Sequence, residues 1–290
     1  MFYQSFMRYL AAAGLSLAML LFVAAPPSVQ AEEIWETLPF PETYPAADSS
    51  GYSQVNGIKL FHAEWGKGDP VILLHGGLAS VEAWAKQIPV MAKTHRVIAI
   101  DSRGHGRSTR DDKTYSYALM ASDVVALMDK LAIAKAAFIG WSDGGIISLE
   151  LAINHPDRIS KAWVIGTNYH IDGIDHSVEN NAVFGQYVGK TAQLYAKLSA
   201  TPKGFDAFVG DISKMWATLP KYSEQQLQSI NTPFTVVQAL RDEAIIDEHA
   251  EKMASLLPGS TYVPVKDLSH FALWQDPGKM NALISAFLSK

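Results

Sequence analysis

A series of short, nearly unbroken apolar runs restricts this chain more than any other feature. They lie at 70–74, 96–100, 136–139, 161–166, 234–238 and 261–265. A strand that alternates apolar and polar residues has one wet face, whereas an unbroken apolar strand is buried on both. Such strands belong in a mainly parallel sheet covered by helices on its two sides. Between them the spacing changes to that of helices. Met120, Val124, Leu127, Met128 and Leu131 form one stripe, and Trp84, Ile88 and Met91 form another behind a possible cap at Ser80. A third helix spans 143–154 and is stopped by Pro156. Strand and helix in alternation give a doubly wound α/β sheet. A hairpin opens it, with 51–55 and 58–65 joined by the turn pair Asn56-Gly57.

One interval breaks the alternation. Residues 169–231 contain no convincing core strand but do contain helical stretches at 191–198, 205–219 and 223–230, the last opened by a Ser223/Gln226 capping box. So long a segment inside a compact domain is rarely structureless, and it reads as a helical cap over the sheet. The core is then 51–168 together with 232–290. Tyr169, Tyr187, Tyr195, Phe208 and Trp216 either line a pocket under this cap or form the cap's own core.

The first 31 residues read as a signal peptide rather than as part of the fold. Arg8 precedes an apolar run over 9–25, then Pro26-Pro27, then small residues ending at Ala31, after which cleavage is expected. The expected location is periplasmic or secreted. A retained membrane anchor is the alternative, with a run somewhat short for the roughly 20 residues that span a bilayer. Residues 32–50 carry no periodicity and read as a leader that packs late or stays mobile. The chain has no cysteine, which excludes disulfides, thiolate-ligated metals and a lipidated N-terminal cysteine. A net charge of −5 gives no electrostatic case for nucleic acid or an anionic membrane as partner. A small-molecule substrate is the partner that remains.

The chemistry-bearing residues sit at strand ends. Ile139-Gly140-Trp141-Ser142-Asp143-Gly144-Gly145 follows an apolar strand and opens a helix. A nucleophile on so sharp a strand-to-helix turn is held above the sheet edge, and side chains at Gly140 and Gly144 would collide across it. An earlier strand ends in Leu73-Leu74-His75-Gly76-Gly77. Acyl transfer develops an oxyanion that needs two preorganised N–H donors, and the backbone of Asp143 and Gly77 can supply them. His75 is expected to bond within its own loop.

At these two motifs the chain resembles the α/β-hydrolase superfamily, and the turn Asp101-Ser102-Arg103-Gly104-His105-Gly106-Arg107-Ser108 is similar to one common in its capped members. The resemblance covers 51–290, with the cap least matched. It implies an acid after the strand that follows the cap, here Asp242, with Glu243 and Asp247 as register alternatives. It also implies a histidine near the C-terminus, here His270 in Asp267-Leu268-Ser269-His270-Phe271. Ala239 and Ser269 stand where the family usually has glycine. The order Ser142, Asp242, His270 is the one expected for this fold. The other histidines, 62, 95, 105, 155, 170, 176 and 249, lack that context and read as structural or surface.

What the resemblance implies is ester hydrolysis through an acyl-enzyme, with no metal or organic cofactor required. Carbon–carbon cleavage of a diketone and lactone opening use the same triad, and a binding protein that has lost turnover is the alternative from another class. A serine nucleophile argues against epoxide hydrolase and haloalkane dehalogenase chemistry, which depends on aspartate. Gly-Trp-Ser-Asp-Gly-Gly is also similar to the elbow of valacyclovir-hydrolase-like (biphenyl-hydrolase-like) enzymes, as is Trp163-Val164-Ile165-Gly166-Thr167-Asn168. That implies substrate contacts at Asp143, pairing with an α-amino group, and at Trp141. The plainer reading of Asp143 is a carboxylate favoured by the first turn of a helix.

Overall fold

A computed structural model describes residues 33–290; the expected signal segment, 1–31, lies outside the described residues. Eight strands form one sheet: β1 Ser49–Val55, β2 Ile58–Trp65, β3 Pro70–Leu74, β4 Arg96–Ile100, β5 Ala136–Trp141, β6 Ile159–Ile165, β7 Phe234–Ala239 and β8 Thr261–Val265. Their order is β1-β2-β4-β3-β5-β6-β7-β8. β1 and β2 pair antiparallel through the Asn56-Gly57 turn, and β2 joins β4 antiparallel; every later pairing is parallel. This is the α/β-hydrolase fold.

The apolar strands divide their side chains between two cores, one per face. Ile72, Leu74, Ile98, Ile100 and Phe138 meet helices α2 Tyr117–Lys130 and α3 Asp143–Asn154 on one side. Val71, Leu73, Val97, Ala99 and Ile139 meet Trp84, Ile88, Met280 and Ile284 on the other. Each Val, Leu, Ile, Phe or Met among them stabilises the fold by ~1.5–3 kcal/mol relative to its exposed state, before entropy is counted. The stripe read over 84–91 is buried, but not on one continuous helix. Pro89 lies within it, so a 3-10 turn over Val81–Trp84 is followed by a separate short helix, α1 Ile88–Met91. Ser80 caps neither; its hydroxyl donates to Glu82 at 2.7 Å instead.

The leader is packed rather than loose. Phe40 sets its ring edge against Trp274 at 5.3 Å, and Trp65 Nε1 donates to the carbonyls of Pro45 and Ala46 at 3.1 and 3.0 Å. Its few aromatic residues find partners far along the chain, which an aperiodic sequence cannot announce.

Between β6 and β7 lie the helices α4 Ala182–Leu198, α5 Phe205–Trp216 and α6 Glu224–Gln228, the last with the expected reciprocal capping box. Phe208, Tyr187 and Tyr195 are buried in packing, whereas Trp216 reaches a cavity under the cap. The remaining helices are α7 Asp247–Leu256, α8 Ala272–Gln275 and α9 Pro277–Leu288.

Candidate active site

The cavity of about 80 Å³ opens at the carboxyl ends of the parallel strands, where α/β sheets bind ligands. Ser142 lies in its wall, on the turn between β5 and α3, with φ 54° and ψ −119°. So strained a backbone persists only where its surroundings hold it. The Ser142 N–H donates to Ile165 O at 2.9 Å, and its carbonyl accepts from Gly145 and Ile146. The flanking glycines are required by close approach: a Cβ on Gly140 would lie 2.6 Å from the Gly144 backbone, and one on Gly144 would overlap the Leu74 carbonyl.

His270 lines the same cavity from the loop after β8. Its Nδ1 lies 2.9 and 3.0 Å from the two oxygens of Asp242, whose side chain is fully buried. Backbone N–H groups of Ala244 and Ile245 donate to Asp242 Oδ1 at 2.8 and 2.9 Å, which fixes the carboxylate. An ionised carboxylate only accepts, so Nδ1 carries the proton and Nε2 is left bare. Burial is the largest single influence on the His270 pKa and lowers it, but the charge and hydrogen bond of Asp242, with the charges of Glu243 and Asp143, together outweigh it. The imidazole is therefore held above its ordinary 6.5.

The two register alternatives have other partners. Glu243 Oε2 accepts the main-chain N–H of His270 at 3.0 Å, so it braces the loop, not the ring. Asp247 accepts from the Gln238 amide at 3.0 Å. His75 is held as expected, in a neutral state. Its Nδ1 bonds Gly76 O at 2.7 Å, Nε2 accepts from Ser102 N–H at 3.0 Å, and burial pushes its pKa down to about 4. The Asp101–Ser108 turn is a structural clamp. Asp101 receives Val81 N–H and Arg107, while buried Arg103 is gripped by Asp123 and Asp111 at 2.8 Å.

Trp141 does not line the cavity, contrary to the contact expected of it. Its side chain turns to the opposite face of β5, against Trp274 at 5.1 Å, and its indole N–H donates to His270 O at 3.0 Å. It supports the histidine loop from behind. Trp141 continues the alternation of Ala137 and Ile139, which share its core, whereas Ser142 has already left the strand for the turn.

Asp143 does face the cavity, and is 6% exposed. Tyr117 donates to Oδ1 at 2.8 Å and Trp216 Nε1 reaches both oxygens at 3.1 and 3.0 Å. Both donors are neutral, and no Lys or Arg forms an ion pair with it among the described residues. Burial pushes its pKa up to about 6, opposed by the Trp216 and Tyr117 bonds and by nearby His270. The Trp216 contact was not foreseeable from spacing. Gly77 permits it, because a Cβ there would overlap the Trp216 ring and lie 2.8 Å from Asp143 Oδ2.

The backbone N–H groups of Gly77, Leu78 and Asp143, in the turns after β3 and β5, have no acceptor among the described residues. Free N–H donors in the turn that approaches Ser142 are what an oxyanion site requires. Leu78, which the sequence did not single out, has φ 65° and lines the cavity.

Comparison with known proteins agrees with the fold. A family model described as the alpha/beta hydrolase fold matches residues 69–225, and the chain belongs to that family. It is 42% identical over 100 residues to the putative carbamate hydrolase RutD of Caulobacter vibrioides, covering 34% of this chain and 37% of that protein. It is 27% identical over 248 residues to the human serine hydrolase BPHL, covering 81% and 84%. Among solved structures, Est816, described as an N-acyl homoserine lactone degrading enzyme, superposes with a TM-score of 0.65 and 25% identity, over 82% of this chain and 100% of that one. The chain spans only 23–37% of the length of the first curated relatives it matches.

Proposed function

We propose that the protein is a serine hydrolase that cleaves small carboxylic esters through an acyl-enzyme on Ser142, with a preference for acyl groups carrying an amine. His270 Nε2 takes the Ser142 proton as Oγ attacks the ester carbonyl, and Asp242 steadies the imidazolium that results. The negative charge on the carbonyl oxygen is met by Asp143 N–H and by an N–H of the Gly77–Leu78 turn. His270 then protonates the departing alcohol. A water activated by His270 attacks the acyl-enzyme, releases the acid and returns the proton to Ser142.

The observation that carries the amine preference is the Asp143 carboxyl in the cavity wall, held by neutral donors alone. A buried charge without a counterion is costly, and a protonated amine in the substrate supplies one. A carboxylate serving only the helix N-terminus has no need to line the cavity. The resemblance to valacyclovir-hydrolase-like elbows and the 27% identity to BPHL support the same assignment. A cavity of about 80 Å³ suits a small acyl group.

The test is the ratio of kcat/KM for an aminoacyl ester to that for a neutral ester of matching size. Asp143→Asn is expected to lower this ratio about ten- to a hundredfold, with little loss on the neutral ester. An unchanged ratio removes the amine preference and leaves a general carboxylesterase.

A further inference from the structure

The loops after β7 and β8 are tied by main-chain bonds: Leu240 N–H donates to Val265 O at 2.8 Å and Arg241 N–H to Leu268 O at 3.0 Å. Farther along, side chains make the tie. Asp242 takes the His270 ring, and Glu243, the next residue, accepts the His270 main-chain N–H at 3.0 Å. The His270 carbonyl accepts from the Trp141 indole at 3.0 Å, so both main-chain polar atoms of the histidine are held from outside its own loop. A ring can be placed no better than the backbone that carries it.

Glu243 is nevertheless an unfavourable way to accept one N–H. Its other oxygen, Oε1, is buried and has no hydrogen-bond partner among the described residues. No Lys or Arg forms an ion pair with it there either. Neighbouring Arg241 turns its guanidinium onto the Trp35 ring, 4.9 Å from the centroid. Burial, then repulsion from Asp242, push the Glu243 pKa up, whereas a charged His270 pulls it down. A buried carboxylate without a counterion is costly, and the cation that acts on this one is the imidazolium formed when His270 takes a proton.

We propose that Glu243 is a positioning residue with two effects. Its hydrogen bond to the His270 main chain fixes where the imidazole sits, and its charge joins that of Asp242 in stabilising the imidazolium formed as Ser142 gives up its proton. The proposal rests on the acyl-transfer reading above. Two adjacent carboxylates thus serve one base, Asp242 through the ring and Glu243 through the backbone.

Wild-type turnover of a small neutral nitrophenyl ester and fluorophosphonate labelling of Ser142 come first; absence of both overturns the serine-hydrolase reading and this proposal with it. Given both, Glu243→Gln keeps an oxygen for the His270 N–H and removes the charge, while Glu243→Ala removes both. The other carboxylates facing the imidazole, Asp242 and Asp143, are common to wild type and variants, so a difference between their pH profiles reads Glu243. Neutral His270 is the base, so losing a charge that stabilises its protonated form moves the midpoint of activity to lower pH. The expected shift is about half a pH unit in both variants. Glu243→Ala is also expected to lower kcat about tenfold with KM little changed, and Glu243→Gln to recover most of that loss. Labelling stoichiometry counts the folded enzyme in each preparation, and either variant that folds reads the shift. A midpoint that moves by less than about 0.2 unit, or a kcat for Glu243→Gln no better than that of Glu243→Ala, overturns the proposal.

Discussion

The cavity has two walls of unlike character. The sheet edge supplies Ser142, Asp143, Asn168 and His270, polar groups mounted on strand ends and the turns that leave them. The cap supplies Val178, Phe184, Val209 and Leu219, with Ser213 and Trp216 among them. One wall holds groups that can move protons and meet charge; the other shapes and dries the space in which they act. Rigid strand ends fix geometry to within the tolerance chemistry needs, while a cap inserted between two strands can vary without disturbing them. The two walls are joined by few polar contacts. Tyr187 bonds the Gly77 carbonyl and Trp216 bonds the Asp143 carboxyl. Those two side chains are where the cap stops being a cover and becomes part of the site.

The largest effect is expected at the sheet edge. Ser142→Ala should cost on the order of 10⁴-fold or more in kcat, because an intact oxyanion site and histidine cannot replace a nucleophile. Fluorophosphonate labelling should vanish with it while the circular dichroism spectrum stays native. Labelling that persists in this variant would remove Ser142 from the role and dissolve the division between the walls.

Next is the choice among the three carboxylates that follow β7. Asp242→Asn should lower kcat by about 10³- to 10⁴-fold, since the asparagine no longer holds the histidine in the right tautomer. Asp247→Asn should cost little, because its carboxylate bonds the Gln238 amide and not the ring. The reverse ranking would transfer the role to Asp247. Activity on neutral esters should also rise with pH through a midpoint above 6.5, the ordinary imidazole value, because Asp242 holds the proton on His270 more firmly. A midpoint below 6.5 would mean that burial outweighs the carboxylate.

The two walls also differ in how far the sequence announces them. The sheet edge is legible because each of its motifs reflects a local constraint. An apolar strand must end, the turn after it needs Gly140 and Gly144 for close approach, and the helix dipole favours Asp143 in the first turn. The order of Ser142, Asp242 and His270 follows the order of the strands. What the sequence misleads on is which way a strand residue faces. Trp141 adjoins the serine in sequence yet lies on the far side of β5. The cap is legible as helices and a capping box, but its contacts with the edge are not. Trp216 and Tyr187 stand 73 and 110 residues from their partners, and helical periodicity marks both simply as apolar positions. The leader hides its packing for the same reason: Phe40 meets Trp274 only in three dimensions.

The smallest expected effect tests whether the cap tunes the edge or merely covers it. A carboxyl whose pKa is raised to about 6 is charged above that pH and neutral below it. Preference for aminoacyl esters should therefore be full above about 6 and fade as pH falls through it. It should fade again at high pH as the substrate amine loses its proton, at about 8 for an α-amino group. The Trp216 hydrogen bonds lower the Asp143 pKa against the pull of burial. Trp216→Phe keeps an aromatic ring over Gly77 but removes the N–H, so the carboxyl should hold its proton to higher pH. The acid limb of the amino-ester preference should move upward, with a change of a few-fold in the kcat/KM ratio near pH 6. The neutral-ester profile, governed by His270, should stay where it was. Separate movement of the two limbs would show the cap acting on specificity through Asp143 alone. Movement of both together would mean that the indole shapes the whole cavity, and that the two walls are less independent than their chemistry suggests.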